Sequence, residues 1–486
     1  FGSSQHWLHR ALMVALREMD RRDSIEIRSN ASETSSSSGL SLEQPQRLNP
    51  DWHLVVVTSA FTLGSVSAPY TLGTGGWLWG SVFWAYAYLT TWWSGNLIGK
   101  CVLDVSGTGA GCSYPEMMAE AFGCPGYRFT AMMQILTYYS LNVALLVKFA
   151  DWLLLVQQVL DLHGALAAQG PCLCECIFVG GIVSLVFAQI PTFKRALPLA
   201  LVGLLSTLIR QGILYYQILE LDLVSTCEPV YGGVTPRSAF LSMVTTVFLF
   251  GGHGLFPEEM RELRKPEGFF GALNKAYIVI GIVYATNIYV AYLVWGRWLS
   301  DDIQFNFPLN MATLISAMLS CLWSLVEGTL SHVMTLSLLE KHAGIAQSRN
   351  SRVWRILLRS SVIGSETLLA CILSSAGIGN LQGLVAAFGF AALTYCAPFL
   401  AYWKLVLRPS NAPWATQALH LGMACAGVLL AIVGSYVFTG SIVGEAAQYR
   451  LFDTSRCSTA EVSDIASCSN PCLAAYGLDG MACNPS

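Results

Sequence analysis

Long runs of apolar residues recur along most of this 486-residue chain. About 20 helical residues cross a hydrocarbon core of about 30 Å, and eleven runs reach roughly that length. Lipid offers the backbone no hydrogen-bond partners, so each run must be helical, whereas the strands of a membrane barrel are about half as long and alternate in polarity. The pattern predicts an all-α membrane protein with about eleven spans, near residues 54–73, 77–99, 129–160, 172–190, 197–219, 238–257, 273–298, 309–338, 357–376, 380–403 and 414–439.

Polar segments flank the apolar part on both sides. Residues 1–53 contain no spanning run and end in a serine-rich stretch, which predicts a largely disordered cytosolic tail. Residues 440–486 form a second polar segment. Residues 54–439 between them are predicted to be one transmembrane domain.

Lysine and arginine are concentrated in alternate loops, which predicts the orientation in the membrane. Residues 161–172, 220–236 and 376–379, in loops of the opposite side, contain no basic residue. With eleven spans, we expect a cytosolic N-terminus and an extracellular or luminal C-terminus, in a plasma, vacuolar or vesicular membrane. The basic residues predicted to face the cytosol are Lys194, Arg195, Arg261, Arg264, Lys265, Lys275, Lys341, Arg349, Arg352, Arg355, Arg359, Lys404 and Arg408.

Composition supports a membrane protein. Hydrophobic residues make up 54% of the chain and charged residues 12%, against about a quarter charged in soluble domains. The lipid bilayer is therefore an expected partner. The net charge of −3 and the lack of a basic face or a nucleic-acid motif argue against a nucleic-acid partner.

Cysteines are concentrated on the side predicted to be outside the cytosol, where disulfides persist. Four in the C-terminal tail predict two bridges, with three possible pairings. Three near residue 172 and Cys227 predict one further bridge between loops. No histidine or second cysteine pair completes a ligand set, so no metal site is expected. The cysteines concerned are Cys172, Cys174, Cys176, Cys227, Cys457, Cys468, Cys472 and Cys483.

Two of the predicted spans are interrupted by glycine and proline. The first contains a glycine, two serines and Pro69 within residues 63–69, and the sixth contains three glycines and Pro257 within residues 250–257. Proline removes a backbone donor and clashes with the preceding turn. One such span would fit close helix packing through small residues. Two of them, five spans apart, favour a transporter built from inverted repeats with its binding site at the breaks.

Residues around both breaks resemble the amino acid/auxin permease family, and most closely its vacuolar and vesicular amino acid transporter branch. The resemblance extends from about residue 54 to residue 438 and is specific in the first three spans and the sixth. It rests on Pro69, Tyr70, Gly75, Gly76, Trp77, Gly80, Tyr114, Pro115, Glu116, Ala121, Phe122, Gly123 and Gly126, and on Gly251, Gly252, His253, Phe256, Pro257, Glu258, Met260, Lys265, Pro266 and Phe269.

This resemblance implies a leucine-transporter-like fold of the APC superfamily. Residues 54–219 and 238–403 would then be two five-helix inverted repeats, and residues 414–439 an additional helix. Family members carry amino acids coupled to protons or sodium. A small-molecule amino acid is therefore the expected substrate, and no cofactor is expected beyond the coupling ion.

An α-amino acid presents a carboxylate and an ammonium, and a broken helix offers free N–H groups to the first and free carbonyls to the second. From the glycine breaks, we expect Gly64→Leu and Gly252→Leu to fill the site and abolish transport while the protein stays inserted and folded. The residues expected at the carboxylate are Gly64, Ser65, Val66 and Ser67, and those expected at the ammonium are Phe250, Gly251, Gly252 and His253.

Ionisable residues within spans require a partner or a role, because charge is costly in lipid. Arg210, Glu327 and His332 are the candidates for ion coupling, with His253 as a further titratable group; each is also open to a structural reading. Arg210 cannot deprotonate, so it would either stand where sodium sits in sodium-driven relatives or pair with a carboxylate such as Glu366.

Two shorter-range pairings concern the same spans. Lys148 and Asp151 share a helix face, which predicts a structural ion pair. Glu327 and His332 are about 140° apart around a helix and are not expected to pair. Arg210, His253, Glu327 and His332 together favour proton over sodium coupling.

Other functions fit the sequence less well. We find neither paired catalytic aspartates nor an HExxH helix, which argues against an enzyme, and no pore signature or charged ring, which argues against a channel. An amino-acid sensor on the same fold and a sodium-coupled symporter remain as alternatives. The oligomeric state is open.

Overall fold

The computed structural model describes residues 50–64, 66–106, 112–162, 172–220, 229–263, 265–345, 348, 350–374 and 378–446. Within these residues the chain is mostly helical, and no β-strand is present among them; Val230 and Gly296 form an isolated β-bridge. The prediction of an all-α membrane protein is confirmed at this level. Ser65, Cys227, residues 1–49 and residues 447–486, which include the four C-terminal cysteines, lie outside the described residues, so the disulfides stay predictions.

Fourteen α-helices, numbered in chain order, make up most of the described chain, and short π-helical or 3₁₀ segments join several of them. The α-helices are α1 (Pro50–Thr62), α2 (Tyr70–Gly75), α3 (Ser81–Ser106), α4 (Tyr114–Leu162), α5 (Leu173–Phe187), α6 (Phe193–Glu220), α7 (Pro236–Leu249), α8 (Phe256–Glu262), α9 (Gly268–Trp295), α10 (Met311–His342), α11 (Ser351–Leu373), α12 (Ile378–Leu384), α13 (Ala397–Tyr402) and α14 (Trp414–Ala446).

Eight helical segments of the described chain are long and apolar enough to cross a membrane. They comprise α4, α6, α7 together with α8, α9, α10, α11, the segment Gly379–Leu407, and α14. Two further apolar helices, Trp52–Thr62 and Leu173–Phe187, are shorter. The structure therefore supports a protein with many membrane spans, while the count of eleven stays a prediction.

Several boundaries differ from the predicted ones, and two of these differences involve a kink or a buried charge. Helix α4 begins at Tyr114 rather than near residue 129, because a first helical stretch is joined to the long apolar one through a kink at Gly123. There φ is +67°, which glycine adopts without the steric cost of a Cβ atom. Helix α11 begins at Ser351 rather than at residue 357, and Arg359, counted among the basic residues that face the cytosol, is well inside the helix and buried. Its guanidinium donates to Ala188 O and to Glu340 Oε1, both at 2.7 Å.

Both predicted interruptions are present. Residues 63–69 separate α1 from α2, and residues 250–255 separate α7 from α8. Helix α10 packs against α4 and α6, whereas α1 packs against α9 and α6. These contacts enclose the first break between four long helices.

Candidate functional site

The first break leaves carbonyl groups at and just after the end of α1 without helical partners. Three side chains from other helices donate hydrogen bonds to these carbonyls. Trp323 Nε1 donates to Ala60 O at 3.2 Å, and the Tyr284 hydroxyl donates to Thr62 O. Arg210 Nη2 donates to Gly64 O at 2.9 Å. Because lipid cannot satisfy the last carbonyls of an interrupted helix, these donors stabilise the break.

Arg210 links the break to two helices. It belongs to α6, is buried, and donates from Nη1 to Ser320 Oγ of α10 at 2.7 Å as well as to Gly64 O. The suggested pairing with Glu366 is wrong, because Glu366 is hydrogen-bonded to other side chains. Arg210 therefore stands as a cation between the first break and α10.

Gly64 lies directly beneath the indole ring of Trp323. A Cβ atom at Gly64 would be 1.3 Å from Trp323 Cε2, far inside any tolerable contact. The Trp323 side chain is 2% exposed, and its ring also faces the Arg210 guanidinium at 5.4 Å from the ring centroid. Glycine is required here by the close approach of the ring.

The far end of the first break holds a lysine. Lys148 Nζ donates to Ser67 Oγ at 3.0 Å, and Ser67 Oγ donates to Gln382 Oε1 of α12 at 3.1 Å. Lys148 is 1% exposed, and Asp301 and Asp302 are among the charges that act on it electrostatically. The predicted pairing of Lys148 with Asp151 stays a prediction, since the hydrogen bond described for Lys148 goes to Ser67.

Asp301 and Asp302 precede the 3₁₀ segment Ile303–Asn306, which contacts the break from the connection between α9 and α10. Ile303 N donates to Val66 O at 3.4 Å, and Trp152 Nε1 donates to Asp302 Oδ2 at 2.7 Å. Burial, assisted by the neighbouring charge of Asp302, raises the pKa of Asp301 above its ordinary value. The segment therefore closes one side of the break.

The second break is packed as tightly as the first. A Cβ atom at Gly251 would lie 2.0 Å from Phe390 Cδ2, whereas one at Gly252 would lie 3.3 Å from Phe61 Cδ1. His253 is fully buried, and its Nε2 donates to Thr91 O at 2.8 Å. This contact fixes His253 against α3 rather than directing that nitrogen into the space between the breaks.

A small cavity lies between the two breaks. Its volume is about 10 Å³, about what one water molecule requires. Residues from the ends of α1 and α7 line it together with side chains of α10 and of the π-helical segment Val385–Cys396. The lining residues are Phe61, Thr62, Phe248, Leu249, Gly251, Trp323, Glu327 and Phe390.

The structure separates Glu327 from His332, as predicted. Glu327 lines the cavity between the breaks, whereas His332 Nε2 lies 2.8 Å from Glu366 Oε2 of α11. Asn142 Nδ2 donates to the other oxygen of Glu366 at 3.2 Å. Asn142 and His332 line a second cavity of about 10 Å³ with Ser184 and other residues. No group of three His, Cys, Asp or Glu side chains among the described residues is placed to hold a metal ion.

Sequence reasoning missed the partners of the breaks. Trp323, Tyr284 and Gln382 were not singled out, and Lys148 was assigned to a local pair. The sequence does indicate that such partners exist, because an interrupted helix in lipid needs donors for its carbonyls. Polar side chains in apolar spans can supply these donors. The sequence does not tell which donor reaches which carbonyl, because the partners are up to 263 residues apart.

The geometry thus places two interrupted helices around one enclosed cavity with buried charges at its edges. The family model described as transmembrane amino acid transporter protein matches residues 51–439. The chain belongs to this transporter family. The predicted family is therefore confirmed, and with it the prediction of a transporter rather than an enzyme.

Several proteins from Arabidopsis thaliana that are named as amino acid transporters are similar to this chain over most of its length. Amino acid transporter AVT1J is 24% identical over 394 residues, covering 79% of this chain and 88% of the relative. AVT1B is 23% identical over 402 residues, covering 78% and 68%, and AVT1H is 22% identical over 394 residues, covering 79% and 87%. The identity of these relatives is low, whereas the match to the family model extends through both breaks.

Proposed function

We propose that this protein is a secondary active transporter of amino acids, which binds its substrate at the two breaks and works by alternating access. One observation carries the proposal. The ends of α1 and α7 line the same cavity, so that both breaks contribute to one enclosed space. Interrupted helices that meet in this way are the usual substrate site of transporters with inverted repeats.

The proposed architecture has eleven spans in two inverted repeats with a last helix added. Each repeat would begin with an interrupted helix, formed by α1 and α2 in the first and by α7 and α8 in the second. The proposed orientation keeps the N-terminus in the cytosol. The Arabidopsis relatives, each named as an amino acid transporter, support the same class of substrate.

We assign the substrate carboxylate to the first break, at Gly64, Val66 and Ser67 together with Ser65. Lys148, which donates to Ser67, adds a positive charge at that end. We assign the ammonium to the second break, at residues 250–253. In the present conformation Trp323 covers Gly64, so the indole must move before a carboxylate can reach the backbone there.

Proton coupling is the second part of the proposal. Arg210 bridges Gly64 O and Ser320 Oγ, so a permanent cation already occupies the space between the first break and α10. A guanidinium does not deprotonate in proteins and cannot leave with the substrate. The protein would therefore need no sodium ion at this position.

The pair of His332 and Glu366 is the proposed proton site. Histidine titrates closest to physiological pH, and its ring nitrogen lies within hydrogen-bond distance of the carboxylate. Ser184, Asn142 and His332 line a cavity of about 10 Å³, which is about the size of a single water. A water there would connect the pair to its surroundings.

The test is uptake of labelled amino acids by proteoliposomes of the purified protein, with pH and sodium gradients imposed separately. Uptake that follows the pH gradient and ignores sodium is the expected result. Binding of an amino acid without uptake would indicate a sensor on the same fold, and sodium-dependent uptake that ignores pH would contradict proton coupling.

A further inference from the structure

The cavity between the breaks has an unusual lining for so small a space. Four aromatic rings, a single carboxylate and the ends of two helices surround about 10 Å³. Among its lining residues Glu327 is the ionisable one. The aromatic residues are Phe61, Phe248, Trp323 and Phe390.

The Glu327 carboxylate is nearly enclosed. The residue is 5% exposed, and its Oε2 has no hydrogen-bond partner. Lys148 and Arg210 lie close enough to act on it electrostatically, but their described hydrogen bonds go elsewhere, to Ser67 and to Gly64 and Ser320. A buried carboxylate oxygen without a donor is unfavourable, so the site is suited to a ligand that brings one.

Two other features of the lining also favour positive charge. Helix α1 ends at Thr62 and α7 ends at Leu249, and the C-terminal end of a helix carries a partial negative charge. The faces of aromatic rings attract cations as well. A carboxylate, two helix C-termini and aromatic rings together form a receptor for a small cation.

We propose that this cavity is the subsite for the substrate's primary ammonium group and that Glu327 is its counter-ion. The inference rests on the proposed function and adds a side chain to the backbone groups already assigned to the ammonium. An –NH₃⁺ group is about the size of the water molecule for which the cavity has room. Its N–H groups donate to Oε2 of Glu327, and a bulkier guanidinium requires Phe390 or Trp323 to move.

The test compares two competitors that differ in one group. L-Alanine and L-lactate share their carboxylate and methyl groups, and alanine carries an ammonium where lactate carries a hydroxyl. Their inhibition of labelled amino acid uptake is measured in proteoliposomes of the full chain, for the parent and for Glu327→Gln. The preference for alanine over lactate is expected to fall about tenfold or more in the variant, because a charged partner is replaced by a neutral one.

Glu259→Gln is the matched control. Glu259 is also a buried carboxylate, 3% exposed, but it lies on α8, accepts from Thr58 Oγ1 at 3.2 Å and does not line the cavity. The preference of the Glu259→Gln variant for alanine over lactate is expected to equal that of the parent. Glu327→Asp keeps the charge and is expected to retain more of the preference than Glu327→Gln.

If Glu327→Gln transports too slowly, the same comparison is made by thermal unfolding of purified protein, since a ligand of the native state raises the melting temperature. An unchanged preference in Glu327→Gln, an equal loss in Glu327→Asp, or a change confined to pH dependence overturns the inference. Parent protein that is neither stabilised by any amino acid nor able to transport one refutes the proposed function instead.

Discussion

Gly64→Ala adds one methyl group to the first break, and the structure gives its consequence directly. The new Cβ atom would lie 1.3 Å from Trp323 Cε2 and 1.7 Å from Nε1. Gly64 is not among the glycines with positive φ, so the backbone itself accepts alanine. The effect of this substitution is therefore steric.

The size of the effect follows from how far the indole must move. Ordinary contact begins at 3.4 Å, so the rigid ring must shift by about 2 Å. Overpacking of a dense core costs about 1–3 kcal/mol, and losing the bond to Ala60 O adds about 1 kcal/mol. We expect a loss of roughly 2–4 kcal/mol in the free energy of unfolding. The expectation that a side chain at Gly64 abolishes transport without unfolding the protein stays a prediction, and the contact with Trp323 adds a loss of stability to it.

The assay is thermal unfolding of purified protein. Gly64→Ala should lower the melting temperature by about 2–4 °C, because the entropy of unfolding of a chain of this length is about 1 kcal/mol/K. Gly252→Ala is the control, because its Cβ atom would meet Phe61 at 3.3 Å and requires only a small adjustment. Adding Gly64→Ala to Trp323→Ala should lower the melting temperature only slightly further, since the indole ring that would clash is already absent. Equal melting temperatures for the two alanine variants would refute the close packing of Trp323 on Gly64.

Three further predictions concern buried charges. Arg210→Met leaves Gly64 O without its donor and removes one of the donors to Ser320 Oγ, so the free energy of unfolding should fall by about 1–3 kcal/mol, and by less in Arg210→Lys; a melting temperature equal to the parent's would contradict this. His332→Ala should weaken the pH dependence of uptake more than the apparent affinity for substrate, whereas an unaltered pH profile would remove the histidine from coupling. Burial raises the pKa of Asp301, so the folded protein binds the carboxyl proton more tightly than the unfolded chain does. The stability that this proton binding contributes is lost as pH rises through the raised pKa. Asp301→Asn should therefore raise the melting temperature at neutral pH but not in acid; an equal gain at both pH values would count against it.

The positions of the breaks were predictable because they depend on local chemistry. Pro69 and Pro257 cannot donate to a helix, and the glycines beside them tolerate close packing, so the interruption is visible within a few residues of sequence. The same holds for the apolar runs that become long helices. Local sequence patterns did not predict the burial of Arg359, because that burial depends on carbonyl groups just after the end of α5.

The interior of the site was not predictable in the same way. Glu366 was matched to Arg210 by charge alone, but it lies against His332 and Asn142. Opposite charges in a bundle have several possible partners, and only the packing of α4, α10 and α11 selects among them. Trp323 gave no signal as a single aromatic residue in an apolar span, although its ring covers Gly64.

The Arg210 guanidinium, which lies between Gly64 and Ser320, also affects the substrate concentration ratio that a transporter can maintain across the membrane. A cation tethered to α6 does not cross the membrane, so it contributes nothing to the charge moved in each cycle. For a zwitterion carried with one proton, the membrane potential then acts on a single elementary charge, which is worth about 2.3 kcal/mol per 100 mV. Since about 1.4 kcal/mol corresponds to a tenfold gradient, that charge supports an accumulation ratio of roughly 40 to 50 per 100 mV, before any pH gradient is added.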